Sequence, residues 1–166
     1  MMRLPLTSAC ALCAALAMAP ASQVAAAEFM LGVGADDGFR SGVPSVALEF
    51  RAVPRWRPGQ ADVGLGMAGE VDSDGDVWGG AGVVLTAPIT PDWRIEASLM
   101  GGGYAQGSGG TDLGASFPIF RTQLGVSYLM ASGWRVGAAI NHKSNAGTAS
   151  ENPGVETVLV TFGRAF

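Results

Sequence analysis

The sequence predicts an all-β fold, an eight-stranded antiparallel transmembrane β-barrel that follows a short leader. Three observations predict it. Apolar residues alternate with polar or small ones in segments of about ten residues, the length of a tilted strand crossing a bilayer. Aromatic residues (Trp56, Trp93, Tyr128, Trp134 and Phe166) collect near one set of segment ends, as an interfacial girdle does. Short connections such as Ala131-Ser132-Gly133 alternate with longer ones.

Residues 1–27 read as a secretory signal peptide. Arg3 supplies the positive start, Leu4 to Ala21 is mostly apolar, and Ala25-Ala26-Ala27 is a small-residue cleavage site. The mature domain is expected to span residues 28–166. Both cysteines, Cys10 and Cys13, fall in the leader, so the mature chain offers neither a disulfide nor a thiolate metal site.

The first segment alternates through Phe29, Leu31 and Val33, the second through Val46, Leu48, Phe50 and Ala52. Val63, Leu65 and Met67 mark the third. Val77 to Ile89 is less regular, with Ala81, Val83, Leu85 and Ala87 on one parity. The fifth runs through Trp93, Ile95, Ala97 and Leu99, the sixth through Phe120, Thr122, Leu124, Val126 and Tyr128. Trp134, Val136, Ala138 and Ile140 form the seventh; Val158, Val160 and Phe162 lead the last toward Phe166. Turn-rich pieces separate them, among them Asp72 to Asp76, Gln106 to Pro118 and Gly147 to Gly154.

Off-parity positions hold Glu49, Arg51, Arg94, Glu96, Arg121, Gln123 and Arg135. In a soluble sandwich or lipocalin-like barrel these would face water; in a membrane barrel they would pair in a polar interior. Strand length, the girdle and a final strand ending in phenylalanine favour the membrane barrel.

The formal net charge is −4, and losing Arg3 leaves 9 basic residues against 14 acidic, which excludes the basic face of a nucleic-acid binder. Gly101 to Gly110 lacks the Lys-Ser/Thr of a phosphate loop; close strand packing and a mobile loop are expected there. Asp72, Asp74 and Asp76 begin like a calcium loop, but Val77 replaces the required glycine and no glutamate follows at position twelve. A solvated hairpin is expected there, with no metal and no cofactor. The sequence leaves a homodimer open.

The chemistry concentrates in Ile140-Asn141-His142-Lys143-Ser144-Asn145-Ala146-Gly147, which contains the only histidine. Ser144 lies two residues after His142, and Glu156 twelve after Ser144. Serine, histidine and a carboxylate are the parts of a nucleophilic hydrolase: attacker, general base and orienting group. On a strand, His142 and Ser144 share a face and Lys143 takes the other, turned to the interior. Eight steps separate Trp134 from His142; at ~3.3 Å each and a tilt of about 40° they climb roughly 20 Å. With both termini periplasmic, His142, Ser144 and Glu156 reach the lipid-facing wall at the outer leaflet. Polar groups there are costly and usually functional. His-x-Ser alone is common by chance, and a small barrel with a structural or adhesive role and no catalysis is the alternative.

The stretch His142-Lys143-Ser144-Asn145-Ala146-Gly147, then Asn152-Pro153-Gly154 and Glu156, resembles the C-terminal motif of the lipid A 3-O-deacylases (PagL family). Phe120-Arg121-Thr122-Gln123-Leu124-Gly125 is similar to that family's sixth strand, so the resemblance covers roughly residues 117–166. Upstream only the strand pattern agrees. The resemblance implies an outer-membrane barrel that removes the 3-position hydroxyacyl chain of lipid A, with lipopolysaccharide as substrate and membrane lipids around it. It implies His142 as base, Ser144 as nucleophile and Glu156 as orienting acid. Backbone N–H groups of Ala146 and Gly147 would stabilise the oxyanion, supported by Asn145 and Asn152.

Overall fold

The computed structural model describes residues 26–40 and 42–166; the expected leader lies outside them except for Ala26 and Ala27. Eight antiparallel strands close into a barrel in chain order. They are β1 (Glu28–Asp36), β2 (Val43–Arg51), β3 (Asp62–Asp72), β4 (Val77–Pro88), β5 (Trp93–Ala105), β6 (Ile119–Leu129), β7 (Trp134–Ser144) and β8 (Val155–Ala165). Closure comes from β1 against β8, from Glu28↔Ala165 to Asp36↔Thr157. Both chain ends therefore lie at one end of the barrel, the terminal end. The β1–β2, β3–β4, β5–β6 and β7–β8 connections lie at the other, the loop end.

Alternation decides which side chains face in. Phe29, Leu31, Val33, Leu48, Met67, Leu99, Leu124, Val160 and Phe162 all stand exposed on the outer wall. So continuous an apolar surface requires hydrocarbon rather than water around it. Trp93 and Tyr128 pair across β5 and β6 with ring centroids 5.2 Å apart, and Phe166 stacks on Phe29 at 5.4 Å. These aromatics mark the terminal end.

The off-parity charges face inward and pair. Arg51 Nε donates to Glu49 Oε1 at 2.7 Å and its Nη1 to Glu96 Oε2 at 2.8 Å. Arg94 Nε reaches Glu96 Oε1 at 2.7 Å and another of its nitrogens binds Glu28. Arg121 Nη2 donates to Glu49 Oε2 at 3.1 Å. Guanidinium groups suit such a charged interior because their charge is fixed and their donors are several.

The interior is not polar throughout. Trp78, Val84, Met100, Tyr104, Leu113, Ile119 and Val155 form an apolar cluster inside the β3–β6 side. Strand β4 therefore carries apolar residues on both faces, which is why its alternation is weak in the sequence. Its inward Gly82 has no room for a side chain: a Cβ would sit 2.1 Å from Leu99 O.

The glycine run Gly101-Gly102-Gly103 is strand, as close strand packing implies, and β5 continues to Ala105. The connection beyond it is anchored rather than mobile: Tyr104 N–H donates to Ser116 O at 2.9 Å, and Leu113 plugs the barrel mouth at 1% exposure. Loops tied by buried apolar contacts and main-chain bonds lose their freedom whatever their glycine content.

Replacing Arg51 by methionine removes the cation shared by Glu49 and Glu96, which keep Arg121 and Arg94 as their remaining partners. The expected loss is about 1.5–3 kcal/mol, the worth of a hydrogen bond to a charged group. Urea unfolding from lipid vesicles measures it, and a midpoint equal to wild type contradicts this account of the interior.

Candidate active site

Strands β7 and β8 bring the candidate residues together. Their register sets His142 directly opposite Glu156. Both side chains point outward while their neighbours Lys143 and Thr157 are buried. His142 Nδ1 and Glu156 Oε1 are 3.1 Å apart, with 46% and 39% of the two side chains exposed. The pair is thus reachable from outside the barrel, with Nε2 the imidazole nitrogen not engaged by Glu156.

Ser144 is half-buried on the same face of β7, opposite Phe120 of β6. Two residues along a strand span about 6.6 Å, so Ser144 is adjacent to His142 rather than bonded to it. No hydrogen bond to Ser144 Oγ occurs among the described residues. The structure joins His142 to Glu156 and leaves Ser144 within a side-chain rotation of them.

Gly154 holds the histidine ring in place. A Cβ on Gly154 would lie 2.5 Å from His142 Cε1 and 3.1 Å from Nε2, so the imidazole rests on bare backbone. Gly154 also has φ of 67°, which penalises any side chain. Sequence reading gave this residue no role, although the Asn152-Pro153-Gly154 triplet was the signal.

The segment after Ser144 is a tight turn. Ala146 and Gly147 have φ of 53° and 77°, and Thr148 N–H donates to Asn145 O at 3.1 Å, the pattern of a type I′ turn. Left-handed alanine costs about 1 kcal/mol or more, strain of the kind kept at functional positions.

Asn145 is fully buried and serves as the bracket of this turn. Its Nδ2 donates to Leu113 O at 2.7 Å and Glu151 O at 2.6 Å. Its Oδ1 accepts from Gly147 N–H at 2.8 Å, and its own N–H donates to Asn152 Oδ1 at 3.0 Å. Gly147 N–H is therefore committed inside the turn, contrary to the expectation that it faces substrate. Ala146 N–H has no acceptor among the described residues. Asn152 is exposed, and accepting through Oδ1 leaves its Nδ2 to donate outward.

A buried polar group supports the outward pair from behind. Lys143 Nζ donates to the Asp36 carboxylate at 3.1 Å and also to Glu70. Thr157 Oγ1 lies 2.8 Å from Glu70 Oε1 and also contacts Asp36. Asn141 Nδ2 donates to Glu70 Oε2 at 3.0 Å. The residues on either side of His142, and the one after Glu156, are thereby fixed to β1 and β3. Around the site, Phe39 and Phe117 project from the loop end at 69% and 74% exposure.

A cleft with about 610 Å³ of open space lies at the opposite end between Glu28, Arg51, Arg94 and Arg135. It contains none of the candidate residues. The candidate groups lie on the outer wall, and the carboxylates with metal-ligand spacing, Asp36, Asp72 and Asp76, are not at the His142–Glu156 pair.

Comparison with known proteins accords with this arrangement. The crystal structure of the outer membrane enzyme PagL superposes with a TM-score of 0.67 at 19% identity, covering 84% of this chain and 99% of that one. A de novo designed transmembrane β-barrel superposes with a TM-score of 0.57 at 10% identity, covering 87% of this chain and 98% of that one. Both likenesses establish the fold. Among curated protein sequences none matches the chain closely enough to count as a relative. The profile of the family described as lipid A 3-O-deacylase (PagL) matches residues 45–165, most of the chain, and the protein belongs to that family.

Proposed function

We propose that this protein hydrolyses the ester of the 3-position hydroxyacyl chain of lipid A in the bacterial outer membrane, through Ser144, His142 and Glu156. The observation that carries the reading is the 3.1 Å contact between His142 Nδ1 and Glu156 Oε1 on the outer wall, with Ser144 beside it. Hydrolase chemistry on a lipid-facing surface requires a substrate that is itself part of the bilayer. The scissile ester of a lipid lies where acyl chain meets headgroup, the height reached at the end of β7. Phe39 and Phe117 suit the same interfacial zone.

Glu156 fixes the imidazole with Nδ1 protonated and stabilises the imidazolium when it forms. His142 Nε2 takes the proton from Ser144 Oγ as that oxygen attacks the ester carbonyl carbon. Substrate binding closes the Ser144–His142 gap, since such bonds are often long in free enzymes. Ala146 N–H and Asn152 Nδ2 donate to the oxyanion; Gly147 N–H and Asn145 hold the turn that presents them. Collapse of the tetrahedral intermediate expels the 3-hydroxyl of the sugar, which receives the proton from His142. Water, activated by the same base, then releases the hydroxy fatty acid from Ser144.

Mass spectrometry of lipid A tests this. Wild type should remove one hydroxyacyl chain; Ser144→Ala and His142→Ala should lose several orders of magnitude in rate while the barrel folds. Glu156→Ala should be impaired less. Wild-type turnover by Ser144→Ala eliminates the mechanism, and unaltered lipid A with active-site residues intact eliminates the activity.

Lys143→Ala separates the interior from the wall. It leaves Asp36 without a cation and Glu70 with only Arg121, at 4.0 Å, so the barrel should lose about 3–5 kcal/mol. Activity per folded molecule should persist, because Lys143 cannot reach a lipid ester from inside. A folded Lys143→Ala barrel as inactive as Ser144→Ala contradicts the assignment.

Gly154→Ala is expected to fold and to lose about 100-fold in kcat, because displacing a catalytic group by about 1 Å has that effect. Heat-modifiable gel migration checks the fold. Undiminished kcat in a folded Gly154→Ala barrel shows that the ring does not depend on that support.

A further inference from the structure

Inside the loop end of the barrel three carboxylates meet that the activity does not use. Asp36 ends β1, Asp72 ends β3, and Asp76 lies in the turn before β4. Their nearest carboxylate oxygens all lie within 4.8 Å of one another. Asp36 and Asp76 are 3% and 4% exposed. Like charges this close inside a protein need protons or a cation between them.

The protein's own cations fall short. Lys143 is shared between Asp36 and Glu70. Among the described residues no Lys or Arg comes within ion-pair distance of Asp72 or Asp76. The hydroxyl donors are also overcommitted. Tyr104 Oη lies 2.6 Å from both Asp76 Oδ2 and Thr111 O, with one proton for two acceptors. Asp72 accepts through Oδ1 alone, from the N–H groups of Asp74 and Asp76 at 2.9 and 3.0 Å.

An independent observation points into the same space. Ser45, 2% exposed, has an Oγ without any hydrogen-bond partner. It faces inward on β2, directly opposite Asp72 in the register and between the strands that carry Asp36 and Asp72. Ser45 is therefore the inward side chain beside Asp72, two residues along β2 from Val43, the partner of Asp36. A buried hydroxyl with no partner, beside an acidic group with too few cations, is an open ligand position.

We propose that Asp36, Asp72, Asp76 and Ser45 Oγ form a site for a hard divalent cation of the calcium class. All four donors are oxygens, the ligand type such ions take. Calcium with ligands at about 2.4 Å spans about 4.8 Å between opposite oxygens, so the three carboxylates fit without closing further. The ion would tie the mouth together. Asp76 also accepts from Gly107 N–H at 2.6 Å and Thr111 N–H at 3.1 Å, in the connection whose Leu113 O holds Asn145. The expectation of a solvated hairpin at Asp72–Asp76 does not hold for Asp76, which is 4% exposed, because residues distant in sequence such as Asp36 close over it.

Terbium, a luminescent stand-in for calcium, tests the site in the detergent-folded barrel freed of metal by chelation. Trp78 and Tyr104 border Asp72 and Asp76 and would sensitise its emission. Emission should appear on titration and be reversed by millimolar calcium. Binding should weaken at least tenfold in Asp72→Asn and measurably in Ser45→Ala, and remain unchanged in Asp62→Asn at the terminal end. Calcium should also raise the melting temperature of wild type above its value in chelator. Absent emission, equal emission from wild type and Ser45→Ala, or identical melting with calcium and chelator overturns the proposal. Ser45→Ala introduces no charge change, so it decides the matter if Asp72→Asn fails to fold.

Discussion

Hydrocarbon offers no partner to a backbone N–H or C=O, so every strand must be bonded on both edges. Closure of β1 on β8 meets that demand, and the rest of the molecule follows from it. A closed sheet has two faces and a side-chain period of two. One face must be apolar for lipid; the other is sealed from it and can hold arginine and glutamate. The outward His142–Glu156 pair breaks the apolar rule on the outer wall, and it lies toward the loop end of the barrel.

The two faces are mechanically linked through single residues. Lys143 is bonded to Asp36 and Glu70 on the inside, while its neighbours His142 and Ser144 face outward. Thr157 does the same beside Glu156. Buried ion pairs add little net stability when compared with apolar packing, but they hold backbone positions firmly. Here they hold the strand segments whose opposite faces carry the proposed chemistry, while the turn at Asn145 is bracketed by Leu113 and Glu151.

Much of this was readable in the sequence because strand alternation is a local signal. The eight strands, the inward Glu49, Arg51, Glu96 and Arg121, and the shared face of His142 and Ser144 all follow from parity. The opposition of His142 and Glu156 needed the register across a connection of uncertain length, which parity does not supply. Strand β4 was blurred because Trp78 and Val84 make its inner face apolar as well. The glycine-rich connection after β5 looked loose because glycine content says nothing about Leu113 or the Tyr104–Ser116 bond. The meeting of Asp36 with Asp72 and Asp76 was beyond reach, since strand curvature and closure bring them together. Gly154 was visible as a motif member, but its contact with the imidazole is a tertiary fact.

The closure of β1 on β8 also orders events in time. The two strands that carry His142 and Glu156 are consecutive, so they meet after closing one short connection. Pairing the first strand with the last joins the most distant parts of the chain and has the largest loop-closure entropy to overcome. The outward dyad is thus a property of a hairpin. The inward bonds of Lys143 and Thr157 to Asp36 exist only once the ring has shut. Those bonds act as a latch: they convert a hairpin that can bring His142 and Glu156 together into a wall that keeps them so.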